Sequence, residues 1–401
     1  KKDLNLLLAR LPDPDKPMPT TTNEDIIALA NYYYPLDETG KALKRNLTYL
    51  GIVADPNMIP HYYYPSQRLG QDALEGYRVP SDNIYSDIDA DLDLPPSGLN
   101  GGYPRLELAD GRITGFDVQD VSALLSRTFF YSRIIENLKG PRSGEPIYDP
   151  VDEYWKNSCF TAIGTEPPVG PTKTACEKLE LMWEAADFKC HDAIWDPATG
   201  AYSARQEAAP FYESANFIFI CSHGFYYWYV PTGIRSLWWY NEVGAGGAFD
   251  VAHVKLMNFG PSIIWTDSCV TGRIDGVDPR NCLSHGFLHG GFNCYLGGTR
   301  SMWGTFLPQP SPGQGEVLGT LMCLYWYGYM CGKLYDNTQG IVTDAEPNNL
   351  PTGAALILAK NNFIVSQGTD GGAYNDDTYE EVLLHGDPAF NPYEPNHEGA
   401  G

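Results

Sequence analysis

The chain has 401 residues and 43% of them are hydrophobic, enough to build one large or two medium domains around a core and too apolar for wholesale disorder. A formal net charge of −23 sets it against nucleic acid and anionic membrane surfaces as partners. The best candidate for a membrane span, Val317 to Met330, is too short and carries Gly and Tyr, so it reads as a buried helix.

Taken in chain order, Asn23 to Tyr33 predicts a helix, capped by Thr22 or Asn23, with Ile26, Ile27, Leu29 and Ala30 on its apolar face. Leu47 to Ala54 is a short apolar run that reads as a buried strand. Ser81 to Asp93 is acidic, and Leu106 to Ile113 suits a strand pair or a strand and turn. Val118 to Leu138 has helical period, with Val121, Leu124, Leu125, Phe129 and Ile134 on one face. Lys139 to Asp152 is rich in Gly, Pro and charge without periodicity, which sets a boundary. The expected organisation is a smaller non-catalytic subdomain over 1–140, a linker over 141–155 and a larger subdomain over 156–395.

In that larger part, strands are expected at Phe160–Thr165, Asn216–Cys221, Pro261–Thr266 and Phe292–Leu296. Helices are expected at Thr174–Asp187, Cys282–His289, Glu316–Tyr329 and Gly353–Lys360. Strands alternating with helices predict an α/β fold with a doubly wound, mostly parallel sheet.

Nine cysteines lie between positions 159 and 331, with no Cys-x-x-Cys spacing, which argues against zinc ribbons and thioredoxin chemistry. An odd count suits several disulfides plus one free thiol; an intracellular chain with reduced, buried cysteines is the alternative. The first reading makes Cys269 the free, alkylatable thiol and leaves the other eight to pair.

Two strands end in chemistry-bearing residues. Asn216–Cys221 runs into Ser222-His223-Gly224, and Pro261–Thr266 runs into Asp267-Ser268-Cys269-Val270-Thr271-Gly272. Ligand chemistry in a parallel sheet collects beyond the carboxyl ends of strands, so neighbouring strands would hold an imidazole and a thiol on one rigid frame. A thiol needs a base or an electropositive neighbourhood to become a nucleophile, and a following glycine lets backbone N–H groups approach a substrate carbonyl.

These two motifs resemble those of the caspase, metacaspase, legumain and gingipain cysteine peptidases. The resemblance narrows to the gingipain type, peptidase family C25 of the caspase-like clan CD. The segments that carry it are Leu50 to Pro60, Ser81-Asp82-Asn83-Ile84-Tyr85, Gly111-Arg112-Ile113, Gly297 to Trp303 and Leu384-His385-Gly386-Asp387-Pro388, in order over residues 47 to 393. The spacing of 46 residues from His223 to Cys269 is longer than that family implies. The family's trailing immunoglobulin-like domain is absent, and the start at Lys1 suits a processed chain with further precursor pieces as partners.

The resemblance implies a caspase-like fold with side-by-side subdomains, a secreted or cell-surface location, and hydrolysis of protein or peptide substrates. In it Cys269 is the nucleophile, His223 the general acid/base, and the N–H groups of Cys269 and Gly224 the oxyanion donors. Glu166 would orient His223. Glu177, eleven residues on, matches the acid at the base of the S1 pocket in arginine-specific members, and a buried carboxylate there would select Arg or Lys. Trp303 would cover that pocket. The chemistry needs no cofactor. Asp87, Asp89 and Asp91 alternate in a way that can bind a structural Ca²⁺, such as family members commonly carry, and equally in a way that suits a solvated acidic loop. Rival readings are a catalytically silent assembly protein on the same fold, or a different hydrolase or acyltransferase with the same dyad. Nothing in the sequence sets an oligomeric state.

Overall fold

The computed structural model describes residues 25, 48–65, 78–87, 105–135, 138, 155–163, 169–196, 201–202, 215–221, 224, 236–237, 249–302, 318–336, 339–367 and 373–392. The helix expected over Asn23–Tyr33 and the linker over 141–155 fall mainly outside these residues.

Among the described residues the strands are β1 (Thr48–Ile52), β2 (Tyr62–Pro65), β3 (Arg78–Ser81), β4 (Leu108–Arg112), β5 (Ser158–Ile163), β6 (Lys189–Asp196), β7 (Ala201–Tyr202) and β8 (Phe217–Cys221). They continue with β9 (Ser236–Leu237), β10 (Phe249–Asp250), β11 (Ile263–Asp267), β12 (Cys294–Gly298), β13 (Lys333–Asp336), β14 (Ile341–Asp344) and β15 (Val382–Gly386). Nine of them form one sheet in the order β1-β4-β15-β12-β11-β8-β5-β6-β7. Its pairings are parallel except β12 with β15 and β6 with β7. The sheet is continuous across the N-terminal and C-terminal halves, because β15 returns from the chain's end to lie between β4 and β12.

Helices cover both faces: α1 (Asn83–Ser86), α2 (Val118–Phe129), α3 (Tyr131–Ile135), α4 (Val169–Glu184), α5 (Val251–Val254), α6 (Leu283–Gly290), α7 (Leu318–Cys331), α8 (Thr352–Gln367) and α9 (Ala373–Glu381). Strand side chains alternate between the two cores. Phe217, Phe219, Ile263, Trp265 and Leu296 pack under α4, α7 and α8. Ile218, Ile220, Ile264 and Tyr295 face α2, α5 and α6. This period of two within runs that are apolar throughout is what burial on both faces demands.

Two expectations are corrected. The helix over Val118–Leu138 is broken: Asp117 caps α2, and Phe130, at φ −98 and ψ 17, separates it from α3. Its core side is Leu124 with Val121, while Leu125 and Phe129 are exposed, Phe129 at 82%. The disulfide expectation also fails, since none of the nine cysteines is in a disulfide. Most act as small apolar core residues: Cys176, Cys294 and Cys323 are each fully buried, and burial pushes their thiols well above the usual range.

Phe219 is fully buried on a central strand, whereas Leu256 is 81% exposed. Phe219→Ala is therefore expected to cost about 3–5 kcal/mol in urea unfolding, and Leu256→Ala to stay within about 0.5 kcal/mol.

Candidate active site

β8 and β11 are parallel neighbours with Cys221 level with Asp267, so the residues that follow leave the sheet side by side. After β11, Ser268 is buried and Cys269 is partly exposed. Val270 then adopts φ 62, a left-handed conformation that is costly for a β-branched residue. The surroundings hold it there. The Val270 N–H donates to the Arg300 carbonyl at 2.8 Å, and the Gly272 N–H to the Gly298 carbonyl at 2.9 Å. The Thr271 hydroxyl donates to the Ser268 carbonyl at 3.0 Å, and the Tyr295 hydroxyl to the Thr271 carbonyl at 3.2 Å. From β15, His385 Nε2 lies 2.9 Å from the Gly272 carbonyl, which makes it the protonated nitrogen.

The Cys269 thiol points to the Met302 carbonyl, Sγ to O 3.2 Å. Gly224 lies against the same loop. A Cβ there would fall on the Cys269 carbonyl oxygen and 2.9 Å from its nitrogen, so glycine is required by close backbone approach. Cys269 and Gly224 are thus brought together. His223, Glu166 and Trp303 lie outside the described residues, as do Asp89 and Asp91. Asp87 follows α1, its N–H donating to the Asn83 carbonyl at 3.0 Å. Among the described residues no cluster of three or more His, Cys, Asp or Glu side chains is placed to hold a metal ion.

Glu177 is not the buried carboxylate expected of it. It sits on the exposed face of α4, with Leu181 and Glu184, while Cys176, Leu179, Met182 and Trp183 point inward. The partly buried acid of that helix is Glu180. Its carboxylate accepts from the Thr161 hydroxyl at 2.5 Å, and burial, opposed by that bond, brings it up to about 7.

The motif reading gave no role to Asp267, two residues before Cys269. Its carboxylate is 4% exposed and takes a hydrogen bond from the Thr320 hydroxyl in the first turn of α7. Burial raises it to about 6, against the lowering effect of Thr320. A Cβ on Gly319 would lie 2.5 Å from both Asp267 Oδ1 and the Met302 side chain, so this carboxylate and the residue whose carbonyl meets the Cys269 thiol both pack against Gly319. The signal for it was an acid closing an otherwise apolar strand.

Beneath the loop, Arg300 grips Asp275 through two hydrogen bonds of 3.0 and 2.9 Å and donates to the Arg78 carbonyl at 3.1 Å. Burial would raise the Asp275 carboxyl, but the Arg300 contacts outweigh it and hold it below the usual range. The Arg300 carbonyl that fixes Val270 is in this way anchored through its own side chain.

No protein-family model matches the chain, and no curated protein matches it. Among solved structures it is similar to one described as "Structure of Protease", with a TM-score of 0.57 at 12% identity, over 93% of this chain and 69% of that one. A separase–securin complex from Saccharomyces cerevisiae aligns with a TM-score of 0.39 at 11% identity, over 70% of this chain and 14% of that one. At such identities the likeness is one of fold. The fold is of the caspase-like α/β kind.

Asp267 supplies a test that needs no substrate. A carboxyl raised from 3.8 to about 6 on folding binds its proton more tightly in the native state. Its stabilising contribution is complete below the unfolded value and is lost as pH rises through the folded one. Asp267→Asn, which keeps an acceptor for Thr320, should therefore raise stability above about pH 6, by on the order of 2 kcal/mol, and change it little near pH 3.8, as read from urea midpoints across pH.

Proposed function

We propose that the chain is a cysteine endopeptidase, with Cys269 as nucleophile, His223 as general acid/base, and a preference for Arg or Lys before the cleaved bond. The observation that carries the reading is the Cys269 elbow. A partly exposed thiol stands at the carboxyl end of a central strand, held through a left-handed Val270, with Gly224, the residue directly after His223, pressed against its backbone.

In this reading the Cys269 sulfur attacks the scissile carbonyl once its proton has passed to His223. The imidazolium protonates the leaving amine, and the neutral imidazole then activates water for deacylation. The N–H groups of Cys269 and Gly224 face the developing oxyanion. Glu166 orients the imidazole, and Trp303 covers the P1 side chain.

Asp267 is the acid we assign to a basic P1 group, in place of the exposed Glu177. Its carboxylate is desolvated and beside Met302, so an incoming guanidinium or ammonium would relieve the cost of its charge, whereas an apolar side chain would leave that charge uncompensated. A structural Ca²⁺ at Asp87, Asp89 and Asp91 would lie outside this chemistry.

Cys269→Ala should lower cleavage of unfolded protein substrates by at least about 10³-fold, with an unchanged unfolding midpoint. If cleavage persists in that variant, the nucleophile is elsewhere; if the unsubstituted protein cleaves nothing in a diverse peptide library, the peptidase reading itself fails.

Specificity is read separately with peptides bearing Arg, Lys or Leu at P1. Asp267→Asn should reduce kcat/KM on the Arg and Lys peptides by roughly 10- to 100-fold, the worth of a charge-assisted hydrogen bond, and leave the Leu peptide unchanged. A basic preference that survives the substitution would remove Asp267 as its source.

A further inference from the structure

Away from Cys269, one pair of thiols is set up for chemistry with each other. Cys159 on β5 and Cys190 on β6 are direct partners in the parallel register of these strands. Their sulfurs approach to 2.7 Å. Cys159 is fully buried, while Cys190 is partly exposed. The Cys159 thiol also lies 3.4 Å from the Lys189 carbonyl, and the Cys190 thiol 3.8 Å from the Glu180 carbonyl. Neighbouring strands run roughly 4.8 Å apart. That spacing falls within the Cα separation of about 4.4–6.8 Å that a disulfide accepts, so a bond here asks for no backbone movement. The position on the sheet matters too. Among the described residues β6 is paired on its outer side only by the two-residue β7, at Trp195 and Asp196, and Cys190 is partly exposed, so a small reagent can come from that edge.

We propose that Cys159 and Cys190 form a redox couple that closes a cross-strand disulfide on exposure to a small-molecule disulfide of the glutathione class. Cys190, the reachable thiol, attacks as thiolate. Its sulfur bonds to one sulfur of the oxidised glutathione, whose S–S bond breaks and releases one glutathione thiolate. Cys159 then loses its proton to solvent and attacks the Cys190 sulfur, expelling the second glutathione. Two protein thiols are oxidised to one disulfide, and one glutathione disulfide is reduced to two thiols. Burial, with the neighbouring Cys190 adding to it, pushes the Cys159 thiol well up, so the second step is the slower and accelerates as pH rises. The remaining cysteines have no such partner geometry in strand register: Cys221 stands level with Ile163 and Asp267, and Cys294 with Ile263 and Gly386.

The inference does not depend on the peptidase reading, and its test uses the folded full-length chain. The protein is equilibrated with excess oxidised glutathione, quenched in acid, alkylated under denaturing conditions and mapped without reduction. The expected result is a peptide pair joined through Cys159 and Cys190, loss of both as alkylatable thiols whatever adduct forms at Cys269, and full reversal by dithiothreitol. Cys159→Ser should instead stop at a stable glutathione adduct on Cys190, and Cys190→Ser should leave Cys159 alkylatable. Recovery of both cysteines as free thiols from the unsubstituted protein would overturn the proposal. So would a stable glutathione adduct on Cys190 while Cys159 is present, or a linkage of either cysteine to a third.

Discussion

The parallel pairing of β8 with β11, register Cys221 to Asp267, is the constraint on which the site rests. Both strands are buried on both faces, and their alternate residues are committed to separate cores. A slip of one residue would send Phe219 and Trp265 into the space of Ile220 and Ile264, so the register is fixed by packing rather than by the loops. With the strand ends level, Gly224 and Cys269 emerge together, and the only freedom left is how closely their backbones approach. Glycine at 224 removes that last obstacle.

Holding the thiol there costs local strain and buried charge, and both costs are met by neighbours. The left-handed Val270 is held by the Arg300 carbonyl, and Arg300 in turn is held by Asp275, with the Tyr63 hydroxyl 3.4 Å from the same carboxylate. A similar pair, Arg112 with Asp82 at 2.5 and 2.7 Å, ties β4 to the segment before α1. These buried pairs lose solvation that their mutual attraction only partly restores, so they are better understood as fixing geometry than as adding stability. Asp267 differs from them. Among the described contacts its partner is a neutral hydroxyl, and it remains the buried acid closest in sequence to Cys269.

What the sequence revealed follows the same physics. β8, β12 and most of β11 are apolar runs, because strands buried on both faces have no polar side to disguise them. β6, Lys-Cys-His-Asp-Ala-Ile-Trp-Asp, was not legible: near the sheet edge it mixes charge with apolar residues and meets no clear period. β15 was seen only as the motif Leu384 to Pro388, since five residues cannot announce that they close the sheet from the chain's far end. The loop carrying Cys269 stood out through its glycines and its place after a strand. Asp267 was not, because an acid at a strand end looks the same whether water or Thr320 faces it. Glu177 was misplaced for a related reason: one helical step of 100° separates it from the buried Cys176, and sequence alone does not set the phase of α4.

The cysteines bring these threads together. Composition alone treated them as a disulfide framework, yet their positions divide them by exposure rather than by pairing. Seven are buried, and two, Cys190 and Cys269, are partly exposed. Thiol chemistry needs access as well as ionisation, so these two are where reagents should act first on the folded chain. They differ in what stands opposite the sulfur. Cys190 faces another thiol across a strand pair and has a bond to form within the sheet. Cys269 faces the Met302 carbonyl, which can accept the thiol's hydrogen bond but cannot bond to the sulfur, and it stands beyond the end of β11, partly exposed. The same residue type thus stands as packing in the core, as a facing pair near the sheet edge, and as a partly exposed thiol at a strand's carboxyl end, and the surroundings set which chemistry each can undergo.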